Sequence, residues 1–579
     1  MDKTDLKHLI DVAAGRTPAD LVIKNSKIVD VYSSQIIEGM DIAIVDGLIA
    51  GIGEYAGRET VDAMGAYAAP GLIESHIHIE SSYVTPEEIG RLLTPRGTTT
   101  IIADPHEIVN VAGLEGLNYM LEAAERTKLD IRYMLPSCVP ATPFENSGAD
   151  IDAAAMTDPV RSGKVWGIGE FMDFPGVVGA ADGVLDKLML AREAGMVVDG
   201  HSPGLGQNAL NAYAAAGIHD DHECETAQEA EQRVARGMYV MLRQGSACHD
   251  FLRLLPAVTT ANSRRFVLCS DDRQPKTIFE QGHLDHHLRM CVSHGIAPVT
   301  AIQMGTLNAA ECFRLWDRGA IAPGLRADIV LFDNLEDFHA QKVWIQGELV
   351  AEDGRYLFDV DRCDISSVLG RFHVKDFSEE KLKLHLKKGH VHLMQIVPGG
   401  VVTKKAVADI AIDGNGDFIY DPAQDIVKIA VVERHHNTGK VAVGLLGGYG
   451  MKNGAVALSI SHDSHNIIVV GTNNRDMAVA VEALIAQGGG IVLADQGAVI
   501  DQMPFIVGGI MTDQSGEWVN EHLSKIHDTA FERLHVSAHI DPVMTLCFMS
   551  LSVIPELKLT AEGLFDVIKF DFIPLEAEE

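Results

Sequence analysis

Apolar and polar positions alternate near the N-terminus in a way that is typical of β-strands. Residues 21–24 and 41–45 follow a period of two, and Asp46-Gly47 directly after them is a hairpin signal. A second stretch of this kind lies far downstream, at residues 327–332 and 342–350. We therefore predict that the two flanks together form one composite β-sandwich, with the intervening chain inserted into it.

Between the two flanks, one structural unit recurs. A short apolar run is followed by a turn rich in Gly, Pro and Asp, and then by a stretch with helical apolar spacing, for example at 113–126, 180–193 and 207–216. Eight strands alternating with helices over about 250 residues are what a TIM barrel requires, although a doubly wound sheet would give much of the same pattern. The eight predicted strands are residues 71–79, 98–103, 130–135, 165–170, 196–200, 217–222, 239–242 and 265–270.

The length of 579 residues exceeds what one compact core supports and predicts about three domains. We assign residues 1–65 and 316–365 to the composite β-sandwich, 66–315 to a catalytic (β/α)₈ barrel, and 366–579 to an additional C-terminal α+β domain. The Gly-rich runs of the last segment fit neither GxGxxG nor a P-loop, so no nucleotide cradle is predicted. The predicted fold class is therefore α/β.

The charge balance narrows the range of partners. Acidic side chains number 81 against 47 basic ones, which gives a formal net charge of −34. Such a surface repels phosphate backbones and anionic lipid heads, so we expect no nucleic acid and no membrane as partner. No apolar run reaches the ~18–20 residues of a membrane span, and no signal peptide is evident. The eight scattered cysteines lack a CxxC pair, which favours reduced thiols in a cytoplasmic protein.

Two histidines stand at the end of the first predicted barrel strand, in Pro70-Gly-Leu-Ile-Glu-Ser-His-Ile-His78. His76 and His78 occupy positions i and i+2 of a strand, so both side chains point to the same side, into the barrel. Neighbouring imidazoles at a strand end can chelate one divalent ion. Taken alone, they are equally compatible with a pair of core histidines.

Four other predicted strands also end in side chains that bind metals. Catalytic residues of TIM barrels lie at this C-terminal face, and an isolated buried carboxylate is costly without a cation. Together with His76 and His78, four imidazoles and two carboxylates make up a ligand set for two metal ions. The residues themselves thus predict a metal-dependent hydrolase. The four further side chains, at strands four, five, six and eight, are Glu170, His201, His222 and Asp271.

This pattern resembles the amidohydrolase superfamily, and within it the adenine deaminases. PGxxxxHxH on strand one, His on strands five and six, and Asp on strand eight form the metal signature of the superfamily. Glu170 occupies the place that a carboxylated lysine takes in many members. The resemblance covers nearly the whole chain and is narrowed by Ala103-Asp-Pro-His-Glu-Ile108 and by His462-Asp-Ser-His-Asn-Ile467. Other matching segments are residues 76–82, 135–140, 201–205, 211–213, 221–223, 269–273 and 317–324.

The resemblance implies hydrolytic deamination of adenine to hypoxanthine and ammonia, a reaction of purine salvage. It implies two divalent metal ions, Mn²⁺ or Fe²⁺, although Zn²⁺ is compatible with the same residue types. Asp271 would act as ligand and as proton carrier, taking the water proton and passing it to a ring nitrogen or to the leaving amine. Glu170 would bridge the metals. We also expect a homo-oligomer, a dimer.

Further polar residues near the predicted barrel mouth are candidates for binding the substrate or transferring protons. His106 and Glu107 can hold the purine or shuttle protons, although His106 can instead cap the next helix. Glu80 points the same way as the histidine pair and can bind the substrate or a ligand histidine. Asp272 and Arg273 are candidate substrate-binding residues, or equally a structural ion pair.

Three other polar residues are given structural interpretations. Glu223 follows a predicted ligand and would point outward in a regular strand, so it is left out of the site. His462 and His465, in the last domain, can form a second metal site or reach over the barrel mouth. For these two histidines we favour a hydrogen-bonded turn, because such clusters are often no more than that.

Two other functions stay open at this point. Another amidohydrolase reaction, such as cyclic amide hydrolysis or deacetylation of an amino sugar, would use the same metals and Asp271. The strand-four lysine of the cyclic-amide hydrolases is, however, missing. A non-catalytic ligand-binding barrel would not require six ligand-type side chains, and a lack of turnover in metal-loaded protein would favour it.

Overall fold

The computed structural model of the chain describes residues 1–398 and 401–578. The predicted hairpin at Asp46-Gly47 is present, and both turn residues have positive φ (50° and 77°), as a type I′ turn requires. The N-terminal flank contains α1 (Lys3–Ala13), β1 (Ala19–Lys24), β2 (Lys27–Asp30), β3 (Gln35–Ile37), β4 (Asp41–Val45), β5 (Leu48–Gly53), β6 (Gly57–Asp62) and β7 (Tyr67–Pro70).

The central region contains the eight strands that the sequence predicts, all in parallel pairings. They are β8 (Leu72–Ile77), β9 (Thr98–Ala103), β10 (Asp130–Leu135), β11 (Gly167–Phe171), β12 (Val197–Gly200), β13 (Asp220–Asp221), β14 (Tyr239–Arg243) and β15 (Phe266–Cys269). β8 to β12 form one sheet and β13 to β15 another. Ile77 pairs with Asp271, which joins the last strand to the first. The region is therefore a TIM-barrel-like domain.

Helices connect these strands and cover the outside of the barrel. The helix predicted at 113–126 begins earlier, at His106, because the chain continues through a kink at Gly113 (φ 60°, ψ −147°), which a glycine tolerates. The helices are α2 (Pro86–Leu93), α3 (His106–Ala124), α4 (Ala153–Ser162), α5 (Phe174–Val178), α6 (Asp182–Ala194), α7 (Gln207–Ala215), α8 (Ala227–Val234), α9 (Phe251–Leu254), α10 (Pro275–Gln281), α11 (Leu284–Ser293), α12 (Pro298–Met304) and α13 (Leu307–Cys312).

After the barrel, four strands return to the N-terminal flank: β16 (Ile329–Phe332), β17 (Ala340–Ile345), β18 (Glu348–Glu352) and β19 (Arg355–Tyr356). They join flank strands in a seven-stranded sheet, β19-β18-β17-β16-β7-β2-β3, next to a four-stranded sheet, β5-β4-β1-β6. Ile23 and Ile44 of the smaller sheet share a core with Leu331 and Trp344 of the larger one. Both flanks thus contribute to one packed unit.

The last part of the chain forms a further α+β unit. Its main sheet has the order β21-β20-β23-β22-β25-β24-β26-β27, and β28, β29 and β30 form a small second sheet. The elements are β20 (His390–Ile396), β21 (Thr403–Asp409), β22 (Ile426–Val432), β23 (Val441–Gly447), β24 (Ala455–Leu458), β25 (Ile467–Gly471), α14 (Asn474–Gln487), β26 (Gly490–Asp495), β27 (Ala498–Pro504), α15 (Gly516–Glu532), α16 (Met544–Cys547), β28 (Leu557–Thr560), β29 (Gly563–Asp566) and β30 (Asp571–Phe572).

This C-terminal unit packs against the loops that follow the first two barrel strands. The ring of Tyr83 lies 4.9 Å from that of Phe505, and Ile108 belongs to the same buried core as Val507. A main-chain hydrogen bond of 2.8 Å from Thr512 to Tyr83 joins the same surfaces. The barrel mouth is therefore covered by the C-terminal domain. No helix within the described residues is both long and apolar enough to cross a membrane.

Candidate metal centre and active site

The six side chains that the sequence predicts as ligands lie together at the C-terminal ends of the barrel strands. Each comes from the end of its strand or from the residues directly after it. Five of them are buried, and the sixth, His201, is nearly so. The fold thus brings together residues from five different strands, as expected for a TIM-barrel site. The six residues are His76, His78, Glu170, His201, His222 and Asp271.

The ring nitrogens of His76 and His78 face each other, with their Nε2 atoms 3.1 Å apart. Nδ1 of His78 lies 3.0 Å from the backbone carbonyl of Asp104 and therefore carries the proton. Nδ1 of His76 lies 2.7 Å from Oδ2 of Asp199, which holds its proton there in the same way. The two Nε2 lone pairs then converge, and neither ring can donate to the other. Two Nε2 atoms arranged in this way can bind a cation.

Glu170 lies at the centre of the cluster. Its Oε1 is 3.3 Å from Nε2 of His78 and 3.2 Å from Nδ1 of His106. Its Oε2 is 2.7 Å from Nδ1 of His201 and 3.2 Å from Nε2 of His222. Burial raises the pKa of Glu170, but the surrounding histidines lower it well below the usual range, so the carboxylate is ionised. One carboxylate thus faces two groups of imidazoles.

Asp271 approaches the histidine pair from another side. Its Oδ1 is 3.2 Å from Nε2 of His78, and its Oδ2 accepts a hydrogen bond of 2.9 Å from Arg243. Burial raises the pKa of Asp271, yet the contact with His78 and the charge of Arg243 bring it below the usual value. The backbone of Asp271 has φ 60° and is held by hydrogen bonds with His76 and His78. Such conformations of non-glycine residues cluster at functional sites.

The sequence pattern does not identify two charged residues of the cluster. Glu223 lies with Oε1 3.5 Å from Nε2 of His222 and is hydrogen-bonded by Arg243. Strand alternation would turn Glu223 outward, but β13 has only two residues, so the alternation does not extend to it. Arg243 ends β14, one of two predicted strands for which the sequence offers no candidate. The sequence feature that could have identified Arg243 is its position as a charged residue directly after the apolar run Val240-Met-Leu242.

His106 and Glu107 begin helix α3 beside the cluster. The N-cap of this helix is Pro105, and within the part of the chain that the structure describes no side-chain capping bond forms there, so His106 is not a capping residue. Nε2 of His106 is 3.4 Å from Oε1 of Glu107. Burial raises the pKa of Glu107, but His462, His465 and His106 lower it well below its usual range. Glu107 is therefore an ionised carboxylate.

The His462–His465 segment forms a turn, as the sequence suggests, and it also reaches the barrel mouth. The backbone N–H of His465 donates to the carbonyl of Ser461 at 2.7 Å. Nδ1 of His462 and Nε2 of His465 contact the two carboxylate oxygens of Glu107. The interpretation as a local turn was thus incomplete, because the decisive contacts of both histidines are with a residue of another domain.

Glu80 and Asp272 lie close to the predicted ligands. Oε1 of Glu80 accepts a hydrogen bond of 3.1 Å from the backbone N–H of Ile108. Burial raises the pKa of Glu80 to about 7, and among the described residues its Oε2 has no hydrogen-bond partner. Asp272 accepts a hydrogen bond from the hydroxyl of Ser81, and burial raises its pKa. Both are placed to meet a polar ligand.

The structure does not bring Arg273 into the cluster. Its guanidinium is fully buried and donates to the backbone carbonyls of Gln244 at 3.0 Å and Gly282 at 2.7 Å. Asp271, two residues before Arg273, has a left-handed backbone that turns the chain. Arg273 therefore anchors the loop that carries Asp271, and a substrate contact through its side chain stays a prediction.

A buried ion pair supports the loops that carry His201 and His222. Oδ2 of Asp221 accepts hydrogen bonds from Nε of Arg233 at 2.9 Å and from the hydroxyl of Ser202 at 2.5 Å. Asp221 and Arg233 are both fully buried. Burial raises the pKa of Asp221, but the charge of Arg233 brings it below the usual value. Arg233 thus provides the largest part of the charge compensation of this carboxylate.

Replacing Arg233 with Met should lower the free energy of unfolding by about 3–5 kcal/mol, because Asp221 is left buried and ionised without a partner. Urea unfolding followed by circular dichroism measures the loss. The matched control is Arg58→Met, which breaks the exposed pair of Arg58 with Asp20 and should cost less than about 1 kcal/mol. Equal, small losses in both variants would show that the buried pair is not needed for stability.

Comparison with known proteins agrees with this geometry. The amidohydrolase family model matches residues 67–350, and the model of the adenine deaminase C-terminal domain matches residues 400–571. "Adenine deaminase 2" of Desulfotalea psychrophila is 62% identical over 577 residues, and "Adenine deaminase" of Ligilactobacillus salivarius is 52% identical over 579 residues, each with 100% of both chains covered. A crystal structure of enamidase has a TM-score of 0.46 at 19% identity, covering 58% of this chain and 96% of that one. The chain belongs to the adenine deaminase family of amidohydrolases.

Proposed function

We propose that the protein deaminates adenine by hydrolysis, giving hypoxanthine and ammonia, with two divalent metal ions at the barrel mouth. The observation that carries this proposal is the convergence of two imidazole lone pairs and a shared carboxylate, from His76, His78 and Glu170. The substrate is supported by the full-length relatives named adenine deaminase, at 44–62% identity. Purine salvage is consistent with this reaction.

The donor atoms fit two divalent ions. His76 and His78 form one group with Glu170, and His201 and His222 form a second group with the same carboxylate. We propose that Glu170 would help to hold both ions and that Asp271 would help the histidine pair to hold the first. Imidazole and carboxylate ligands are compatible with Mn²⁺, Fe²⁺ and Zn²⁺, and the family resemblance favours Mn²⁺ or Fe²⁺.

When bound, divalent ions lower the pKa of water towards ~7 and so supply hydroxide at neutral pH. Asp271 is the proposed proton carrier, because Arg243 holds one of its oxygens and the other faces the histidine pair. One water adds across the C6=N1 bond of adenine, its oxygen to C6 and one proton to N1, and its second proton passes through Asp271 to the exocyclic amino group. The C6–N bond then breaks, ammonia leaves, and C6 retains the oxygen as the carbonyl of hypoxanthine.

The remaining candidates act on the substrate side of the site. Burial lowers the pKa of His106, but Glu107 and the other nearby carboxylates raise it well above its usual value. A charged His106 can stabilise negative charge that develops on the purine ring. Glu80 and Asp272 carry polar atoms that can pair with the purine edge. Arg273 anchors the adjacent loop through its main-chain contacts, and a substrate contact through its side chain stays a prediction.

We also propose the domain division 1–65 with 316–365, 66–315, and 366–579. The mixed seven-stranded sheet supports the first unit as one composite β-sandwich. The net charge of −34 supports a small purine as substrate and neither nucleic acid nor a membrane as partner. The eight free cysteines support a cytoplasmic enzyme. A homodimer is the proposed assembly, and analytical ultracentrifugation of the full chain tests it.

Protein loaded with Mn²⁺, or with Fe²⁺ under anaerobic conditions, should convert adenine to hypoxanthine and ammonia with a kcat of about 1–10³ s⁻¹. Chelation should remove the activity, because the hydroxide is no longer supplied, and returning the metal should restore it. Chromatography of the purines together with an ammonia assay measures both products. Turnover of a cyclic amide without turnover of adenine would contradict the substrate and keep the metal centre. Two bound metals without any turnover would favour a ligand-binding barrel.

A further inference from the structure

Residues 461–466 of the C-terminal domain form a buried turn that is fixed from several sides. The guanidinium of Arg434 donates to the carbonyl of His465, and Nε2 of His435 lies 2.6 Å from the carbonyl of Ser464. The side-chain amide of Asn466 donates to a carbonyl of the barrel domain, that of Asn146, at 2.9 Å. The side chains from position 462 to 466 are 1–4% exposed. This turn is thus part of the packed interface above the barrel mouth.

Both carboxylate oxygens of Glu107 are occupied by this turn. His462 contacts Oε1 through Nδ1, and His465 contacts Oε2 through Nε2. On its other side, Oε1 of Glu107 lies 3.4 Å from Nε2 of His106. Nδ1 of His106 lies 3.2 Å from Oε1 of Glu170. A continuous series of contacts therefore leads from the C-terminal domain to the central carboxylate of the cluster.

The backbone determines which nitrogen of His465 carries the proton. The N–H of Ser461 donates to Nδ1 of His465 at 3.2 Å, so Nδ1 is an acceptor and the ring proton is on Nε2, facing Glu107. His462 faces Glu107 with the opposite nitrogen, and its ring stacks on Phe548 with centroids 4.6 Å apart. The two histidines thus donate from different ring positions to different oxygens of one carboxylate.

The same three side chains would suit a metal ion only if both facing nitrogens offered lone pairs. His465 does not, because Nε2 keeps the proton as long as Nδ1 accepts from Ser461. The cluster is therefore a hydrogen-bonded clamp on Glu107 and not a third metal site.

We infer that His462 and His465 are positioning residues for the deamination reaction. They hold both oxygens of Glu107, and Glu107 in turn orients His106 beside Glu170. This inference rests on the proposed function. A carboxylate fixed at both oxygens cannot rotate, and a displacement of about 1 Å at a catalytic group can cost 10²-fold in rate. The C-terminal domain thereby contributes to the catalytic step as well as covering the barrel.

Asn and Gln substitutions distinguish a role in positioning Glu107 from a role in packing alone. The amide nitrogen of Asn takes roughly the place of Nδ1, and that of Gln takes the place of Nε2. We expect His462→Asn and His465→Gln to keep kcat for adenine within about tenfold of the wild type. His462→Gln and His465→Asn should lose about 10²-fold in kcat, with a smaller change in KM. A role in packing alone would not produce this crossed pattern.

Metal content and thermal midpoint are measured for all four variants and should match the wild type. His527→Asn and His527→Gln are the control pair, because His527 lies in α15 and pairs with Asp541 instead; their kcat values should be equal. Equal losses from Asn and Gln at both His462 and His465 would overturn the inference. So would a third equivalent of bound metal that disappears in His465→Asn.

An independent readout separates this inference from the proposed reaction. NMR of ¹⁵N-labelled histidine should show, among the neutral rings protonated at Nε2, one signal that vanishes in His465→Gln. If that tautomer is missing, the clamp on Glu107 is wrong whatever the enzyme does. If it is present but the wild type does not deaminate adenine, the failure belongs to the proposed function, and the clamp itself stands.

Discussion

The Asp271→Asn substitution should lower kcat for adenine by about 10³–10⁴-fold. Asparagine has nearly the same size and keeps one acceptor oxygen, but it cannot take a proton from water or pass one to the leaving amine. It also removes the negative charge that faces Nε2 of His78 at 3.2 Å and pairs with Arg243 at 2.9 Å. Steady-state assays of ammonia release from metal-loaded protein measure the loss, with metal content determined in the same samples.

Asp250→Asn is the matched control for Asp271→Asn. Asp250 is also buried and also pairs with Arg243, at 2.8 Å, but through other guanidinium nitrogens than the one that contacts Asp271. Its substitution should change kcat by less than about tenfold, because no proton transfer passes through it. Activity of Asp271→Asn within tenfold of the wild type would remove Asp271 from the role of proton carrier, whatever the control does.

The positions of the six predicted ligands follow from the sequence because parallel barrel strands end at a common face. His76 and His78 are fixed by the period of a strand, and Asp271 by the end of the last apolar run. Local patterns suffice for such residues, since each needs only the correct strand and the correct end of it. The same local patterns predict the eight barrel strands and the Asp46-Gly47 hairpin.

Residues whose role depends on irregular local backbone are harder to predict. Glu223 follows a strand of only two residues, so no period determines its direction. Arg273 lies two residues after Asp271, whose backbone is left-handed, and its side chain donates to main-chain carbonyls. The sequence indicates Asp199 only weakly, as a carboxylate within the apolar run Val197-Val-Asp-Gly200. Its contact with His76 is visible only in the folded structure.

Contacts between domains are beyond local patterns altogether. His462 and Glu107 are 355 positions apart, and their contact exists only because the C-terminal sheet packs on the barrel mouth. A histidine pair in a polar turn gives no indication of which distant carboxylate it will meet. Sequence resemblance connected this segment to the family, whereas its physical relation to the site required the structure.

The Glu170→Gln substitution should remove at least one of the two metal ions and lower kcat by about 10³-fold or more, since metal-ion catalysis contributes several kcal/mol. The carboxylate faces two groups of imidazoles with opposite oxygens, 3.3 Å from His78 and 2.7 Å from His201. An amide presents one acceptor oxygen and one NH₂ group, and it carries no charge. One histidine group would therefore face donor hydrogens where a ligand oxygen is required. Metal analysis after gel filtration, together with the ammonia assay, measures both effects.

Glu145→Gln distinguishes this loss of charge from the general effect of placing an amide in a buried site. Glu145 is buried and accepts a hydrogen bond from Thr142 at 3.1 Å, and burial raises its pKa to about 8. It is thus mostly protonated at neutral pH, so the substitution exchanges one neutral group for another and should leave two metals bound. If Glu170→Gln also retained two metals and more than a tenth of the activity, the proposal that both ions need the Glu170 carboxylate would be wrong. The two histidine groups would then have to bind their ions independently, with the second group completed by Glu223, whose Oε1 lies 3.5 Å from Nε2 of His222.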